Sequence, residues 1–294
     1  MKVFYTKTYN MGGKNAQKQA WIERVASRMG YEEISFFKFP DETDSDTELD
    51  VRIEGIMAAV DTDAVVVFQY PGMISARYDR AVIRHLKKYR NRKLIIMVED
   101  LGSMLQIPGY PDLKEEIELF QQADVLVLQS AMMKDYLVVH GLRKIPVLYQ
   151  ELWEFPYEIY NRDVRIEKRL QTVMDLSVPA LIGMRRCGIA CPEKRDGFYY
   201  EMCNPLEAGF CICAGIPLLA EKNSGLGKFI SRYGIGVVAG EQNEAQQIVS
   251  ALTQEQIRDR KRNLMRLQPA VGSGMFTQTL LQNAVYRAFT DSFL

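Results

Sequence analysis

Residues 64–69 read Ala64-Val65-Val66-Val67-Phe68-Gln69, five apolar side chains in succession without alternation. A strand with one wet face alternates apolar and polar residues. An unbroken run therefore predicts a strand buried on both faces, as in a parallel sheet. Further apolar runs flank it at Lys2–Tyr5, Ile34–Phe37, Leu94–Val98, Val125–Leu128 and Pro146–Tyr149. Between the runs lie stretches of helical spacing: Gln17–Met29, Glu48–Val60, Arg77–Tyr89, Leu113–Gln122 and Met132–His140. Strand–helix alternation across half the chain is the pattern of a doubly wound α/β domain.

The pattern breaks after Tyr149. Residues Trp153 to Arg165 carry Pro156, several aromatics and no clean period, which reads as an interdomain connection. Helical spacing resumes at Asp163–Leu176, followed by an apolar segment at Val178–Ile182, a short strand at Gly188–Cys191 and a loop at Pro192–Gly197. Then come a helix at Asn204–Ala214, strand Ile216–Ala220, helix Gly225–Tyr233 and strand Gly236–Ala239. Helices Glu244–Leu252, Gln254–Met265 and Gly274–Phe289 close the chain. The expected organisation is α/β with two Rossmann-like domains facing a cleft, the second reduced. Residues 1–152 form the first domain, 153–272 the second, and 273–294 a helix that packs back on the first.

Composition narrows the function classes. Of 294 residues, 47% are hydrophobic, enough for a sizeable core. Lys plus Arg is 37 and Asp plus Glu is 37, so the basic excess of a dedicated nucleic-acid protein is missing. No apolar run reaches the ~18 residues of a membrane helix, and Met1–Tyr9 lacks the apolar core of a signal peptide. A cytoplasmic location is expected. The five cysteines, Cys187, Cys191, Cys203, Cys211 and Cys213, are odd in number and read as reduced thiols. His85 and His140 stand in helical patterns far from them, so no zinc site is expected.

Several short motifs sit where a doubly wound fold presents ligands. Asn10-Met11-Gly12-Gly13-Lys14-Asn15 follows the first strand and opens a helix. Its glycines would let backbone approach a ligand, or they form a plain strand-to-helix turn. Glu99-Asp100 ends the fourth strand, where Asp100 is either a general base or a loop acid. The acids of Asp41–Asp50 read as a solvated segment complementing a helix N-terminus. Gln150-Glu151-Leu152-Trp153 stands at the hinge. Ser224-Gly225-Leu226-Gly227 opens a helix whose first N–H groups could hold a phosphate or a sugar hydroxyl.

The segment Asn204–Ala239, NPLEAGFCICAGIPLLAEKNSGLGKFISRYGIGVVA, joins these motifs to a family. Its order of helix, AGIP, strand, SGLG, helix and YGIGVV resembles the C-terminal domain of two-domain GT-B glycosyltransferases. Over almost the whole chain the sequence is similar to bacterial glucosyltransferases that extend the glycans of serine-rich repeat adhesins, and to related galactofuranosyltransferases. The matching pieces are the first strand and its loop, Val65–Gln69 with Pro71, Val98-Glu99-Asp100 and Ala123–Val127. Gln150–Pro156, the AGIP region and Gly274-Met275-Phe276-Thr277 complete the set.

The resemblance implies transfer of a sugar from a nucleotide-sugar donor, usually carrying uridine diphosphate, to a glycan or glycoprotein acceptor, with no bound metal. Acceptor-side residues would be Met11, Gly12, Gly13 and Asn15, with Asp100 catalytic. Donor-side residues would be Ser224, Gly225, Leu226, Glu207 and Arg186, across a hinge at Glu151 and Trp153. Two features depart from the family. The stretch Tyr157–Arg186 is shorter than its counterpart, and Glu207 stands where the family carries a lysine that reaches the diphosphate. Arg185, Arg186, Lys194 and Arg195 are the basic residues available to substitute. The shortened domain suggests apolar surface covered in a homo-oligomer. The alternative reading is a degenerate paralogue that binds a glycan or a partner protein.

Overall fold

The computed structural model describes residues 1–154, 198–213, 215–240 and 242–290. Two compact units form, Met1–Tyr149 with Gln278–Leu294, and Gln150–Thr277.

The first unit carries a six-stranded sheet. Its strands are β1 (Val3–Tyr9), β2 (Glu32–Phe37), β3 (Val65–Tyr70), β4 (Lys93–Val98), β5 (Val125–Leu128) and β6 (Val147–Tyr149). All neighbours are parallel, in the order β2-β1-β3-β4-β5-β6. Helices α1 (Gly13–Arg28), α2 (Asp46–Ile56), α3 (Ala76–Leu86), α4 (Leu113–Phe120) and α5 (Ala131–Val139) supply the crossovers. Every residue of β3 and β5 is buried, the burial on both faces that the unbroken apolar runs predict.

Local chemistry sets the helix ends. Ser45 and Glu48 form a reciprocal capping box on α2, so the acid-rich segment completes a helix N-terminus as expected, but it is not solvated throughout: Asp41 is buried and accepts from the Ser75 hydroxyl at 2.6 Å. Ser75, Asp112 and Ser130 cap α3, α4 and α5 through their side chains. The basic face of α3 is laid against acids, with Arg77 on Asp46, Arg80 on Glu115 and Arg84 on Asp50.

Among its described residues the second unit holds two parallel strands, β7 (Leu218–Glu221) and β8 (Gly236–Ala239). Around them stand α6 (Phe198–Met202), α7 (Glu207–Cys213), α8 (Gly225–Tyr233), α9 (Gln242–Ala251) and α10 (Gln254–Ser273). Their core joins Phe210, Ile212, Leu218, Phe229, Ile230 and Leu264. Helix α11 (Met275–Thr290) ends the described chain. Two glycines permit close packing. A Cβ at Gly209 would lie 2.0 Å from the Trp153 carbonyl oxygen, and one at Gly236 would lie 2.0 Å from that of Leu218. Helix α10 runs on past the expected Met265 and through Pro269. Met265, whose carbonyl loses its helical donor to that proline, is 68% exposed and within reach of water. The expected elements between Asp163 and Cys191 lie outside the described residues.

Candidate active site

The strand order changes direction between β1 and β3: the crossover from β1 to β2 goes one way, and the crossover from β2 to β3 passes back over β1 the other way. In doubly wound sheets, ligands bind beyond the strand ends at this point. The ladder opens there. β1 pairs with β2 over six residues and β3 with β4 over six, but β1 and β3 pair only from Val3↔Val65 to Tyr5↔Val67. Past Tyr5, side chains replace the ladder. The Gln69 amide N–H donates to Thr6 Oγ1 at 2.9 Å, and the Thr8 hydroxyl donates to the Gly72 carbonyl at 2.7 Å.

Three loops surround the opening. The first is the Asn10–Asn15 loop, where Asn10 and Gly13 take positive φ of 60° and 78°. Gly12 precedes α1 without a side-chain cap, and a Cβ on Gly12 or Gly13 would meet nothing within 4 Å. This backbone is open, as close approach by a ligand requires. Met11 is half-buried, and buried Asn15 directs Nδ2 to Met73 Sδ at 3.3 Å.

The second loop is Pro71–Ser75. Its Gly72 N–H donates to Asp79 Oδ2 at 2.9 Å. The Tyr110 hydroxyl donates to the same oxygen at 3.0 Å and accepts from the Met73 N–H at 2.7 Å. Asp79 is fully buried and its Oδ1 has no partner among the described residues. Burial pushes its carboxyl up to about 7, against the lowering effect of the two hydrogen bonds.

The third loop follows β4. Lys18, on the buried face of α1, places Nζ 2.9 Å from Asp100 Oδ2 and 3.0 Å from the Glu99 carbonyl oxygen. Both side chains are largely shielded, 7% and 13% exposed. Asp100 is thus held by an ion pair at the strand end. Its neighbour Glu99 is fully buried, with neither carboxyl oxygen hydrogen-bonded among the described residues. Burial raises the Glu99 carboxyl well above the usual range; Lys18 opposes this and Asp100 adds to it. Glu116 fixes the rest of the loop by accepting from the Gly102 N–H at 2.7 Å, from the Tyr70 hydroxyl at 2.8 Å and from the Ser103 hydroxyl.

Sequence reasoning pointed to the Asn10–Asn15 loop and to Asp100 but missed Lys18, Asp79 and Tyr110. Lys18 left a signal, since it interrupts the apolar stripe that Ile22, Val25 and Ala26 continue on α1. Asp79 and Tyr110 meet across 31 residues of chain, and no local pattern marks them.

In the second unit Ser224 caps α8. Its hydroxyl accepts from the Gly227 N–H at 2.9 Å and donates to the Glu221 carbonyl at 2.8 Å. Gly225 and Leu226 form the first turn, with Leu226 buried. A Cβ at Gly227 would lie 2.0 Å from the Glu221 carbonyl oxygen, so the turn admits no larger residue. Glu207 begins α7, where an acid complements the helix dipole. The hinge residues are structural within this unit. Glu151 pairs with Arg232 at 2.5 Å, and Trp153 is fully buried. Glu154 accepts from the Phe276 and Thr277 N–H groups at 2.8 and 2.7 Å, capping α11. Arg185, Arg186, Lys194 and Arg195 lie outside the described residues. Among the described residues no group of three or more His, Cys, Asp or Glu is placed to hold a metal ion. No described helix is long and apolar enough to cross a membrane.

Comparison with known proteins decides the family. A model of the Glucosyltransferase 3-like N-terminal domain matches residues 2–152, and one of the corresponding C-terminal domain matches residues 186–284. The chain belongs to the Glucosyltransferase 3-like family. It is 26% identical over 330 residues to Glucosyltransferase 3 of Streptococcus gordonii, covering 97% of this chain and 98% of that protein. To Glucosyltransferase 3 of Streptococcus parasanguinis it is 22% identical over 334 residues, covering 99% and 100%. That alignment of 334 positions against 294 residues leaves at least 40 positions with no counterpart here.

The fold is similar to that of sucrose-phosphate synthase from Thermosynechococcus elongatus, with TM-score 0.57 and 11% identity over 99% of both chains. It is also similar to Anabaena HepE, solved in complex with UDP and glucose, with TM-score 0.59 and 12% identity over 96% of this chain and 99% of that one. This Glucosyltransferase 3-like chain is accordingly a glycosyltransferase of GT-B type, built from two Rossmann-like α/β halves.

Proposed function

We propose that this Glucosyltransferase 3-like protein transfers glucose from UDP-glucose to a hydroxyl of a glycan or glycoprotein. The observation that carries the reading is the two-domain family match, which spans both the switch-point site and the Ser224 turn. On this reading the acceptor lies over the open Gly12–Gly13 backbone, and Asp100, oriented by Lys18, takes the proton of the attacking hydroxyl. The leaving diphosphate lies at the N-terminus of α8, beside Gly225 and Leu226, with Arg186 contributing positive charge. Glycosyl transfer passes through an oxocarbenium-like state, so stabilising the leaving-group charge is the central task. We propose that helix N–H groups and basic side chains do this without a metal ion. Cys203, Cys211 and Cys213 carry reduced thiols, in keeping with a cytoplasmic setting. A homo-oligomer is also proposed, for which light scattering should give a mass above that of one 33.7 kDa chain.

The test is calorimetric titration with UDP and UDP-glucose at low salt, together with UDP release in the presence of acceptor sugars. If the diphosphate lies near Glu207, the native carboxylate repels it. Glu207→Lys should then tighten UDP binding by ~1.5–3 kcal/mol through a charge-assisted hydrogen bond. Micromolar UDP binding by the native chain that this substitution abolishes would make Glu207 a working donor residue. No UDP binding by either form would favour the second reading, a degenerate glycan- or protein-binding relative, which Glu207 itself suggests.

A further inference from the structure

The ends of β1 and β2 carry a feature that neither the fold nor the catalytic assignment uses. These strands pair in register up to Tyr9↔Phe37, their last residues. The two rings stack with centroids 5.2 Å apart and planes 20° from parallel. Phe37 is 59% exposed although it ends a strand of a well-packed sheet. Polar groups surround the pair. The Tyr9 hydroxyl donates to Glu33 Oε1 at 2.8 Å, and the Ser35 hydroxyl also donates to Glu33. Lys7 Nζ lies 4.3 Å from the Tyr9 ring centroid and pairs with Glu23. Tyr9 leads directly into the exposed Asn10 and the open Gly12–Gly13 backbone.

We propose that the Tyr9–Phe37 pair is a carbohydrate-stacking subsite that takes a pyranose ring of the acceptor glycan. An exposed ring costs apolar hydration and gives the core nothing, so packing does not account for Phe37. Its position at the carboxyl edge of a parallel sheet is where such folds hold ligands. One face of a pyranose is a patch of C–H bonds with partial positive charge, which suits the negative face of an aromatic ring. The rim of carboxylate, hydroxyl and ammonium groups matches the sugar's hydroxyls, which both donate and accept. This subsite deepens the proposed transferase reading by giving the acceptor a second anchor beside the Asn10–Asn15 loop. Its binding is independent of UDP, so the two can fail separately.

Saturation-transfer NMR with methyl β-D-glucopyranoside and with cellobiose tests it. The native protein should saturate the C–H protons of one ring face. Phe37→Ala should weaken binding about tenfold, the loss of one stacked ring, and Phe37→Leu nearly as much, since it keeps apolar area without the π face. Phe37→Trp should restore it. The residue is exposed, so these variants should keep the native Tm and UDP affinity. Absence of transfer to either sugar in the native protein would overturn the subsite, as would equal transfer in Phe37→Ala. A fall in light-scattering mass in Phe37→Ala would overturn it too, by showing that the pair covers a second copy of this chain. Stacking that survives while UDP-glucose is never turned over would remove the transferase reading and leave the subsite standing.

Discussion

Asp79→Asn tests whether the loop after β3 is held by a carboxyl that stays protonated near neutrality. In the folded chain burial lifts Asp79 to about 7; in the unfolded chain it returns to ~3.9. Between these values the folded state holds a proton that the unfolded state has lost. Stability is therefore fully present below pH ~4 and declines as pH rises through about 7. At ~1.4 kcal/mol for each tenfold change, the gap of roughly three pH units amounts to ~4 kcal/mol as an upper figure. Asparagine keeps the shape, and its oxygen can still accept from Gly72 and Tyr110 as Asp79 Oδ2 does. It carries no charge to desolvate. The variant should gain stability relative to the native chain as pH rises from 4.5 to 8, by a few kcal/mol. Urea denaturation at several pH values, followed by tryptophan fluorescence with Trp21 reporting on the first unit, measures the difference. A difference that stays flat across this range, or that runs the other way, would refute the reasoning. The first would mean Asp79 is already ionised at low pH, and the second that its charge is stabilised.

Lys18→Met should destabilise the protein by ~3–5 kcal/mol, because it removes the ammonium that pairs with the largely shielded Asp100; adding Asp100→Asn should recover most of the loss, as read by thermal melting. Gly209→Ala should prevent the second unit from packing, since its methyl would lie 2.0 Å from the Trp153 carbonyl oxygen; limited proteolysis should then cut after Tyr149 and release a protected Met1–Tyr149 fragment. In a thiol-reagent time course on the native protein, Cys211 and Cys213 should react far more slowly than half-buried Cys203. Burial raises the Cys213 thiol to about 12, so its nucleophilic form is scarce at neutral pH.

Much of this architecture is written locally. All six expected apolar runs of the first half became strands, and for β3 and β5 the reason is plain: a segment apolar on both faces has few places to lie except inside a parallel sheet. Helix Gly225–Tyr233 and strand Gly236–Ala239 fall where read, because Ser224 caps the helix and Gly234, at φ 61°, ends it. The acid-rich segment and the buried thiols Cys211 and Cys213 likewise follow from short-range rules. The full family assignment rested on the order of many short motifs, none of them decisive alone.

Tertiary structure decided what those motifs do. The opening between β1 and β3 is a matter of strand order and divergence, and pairing between residues about 60 positions apart leaves no periodic trace. Whether Asp100 is a solvated loop acid or an oriented carboxylate depended on Lys18, 82 residues away. Glu99 and Asp100 are neighbours in sequence, yet one is sealed in the sheet and the other is ion-paired at its edge. Tyr9 and Phe37 look like two ordinary strand residues until the register of β1 and β2 stacks them. The sequence determined which segments must be buried, because burial follows from the composition and period of each segment. Which side chains meet, and with what charge, followed only once the folded chain had brought distant segments together and excluded water from between them.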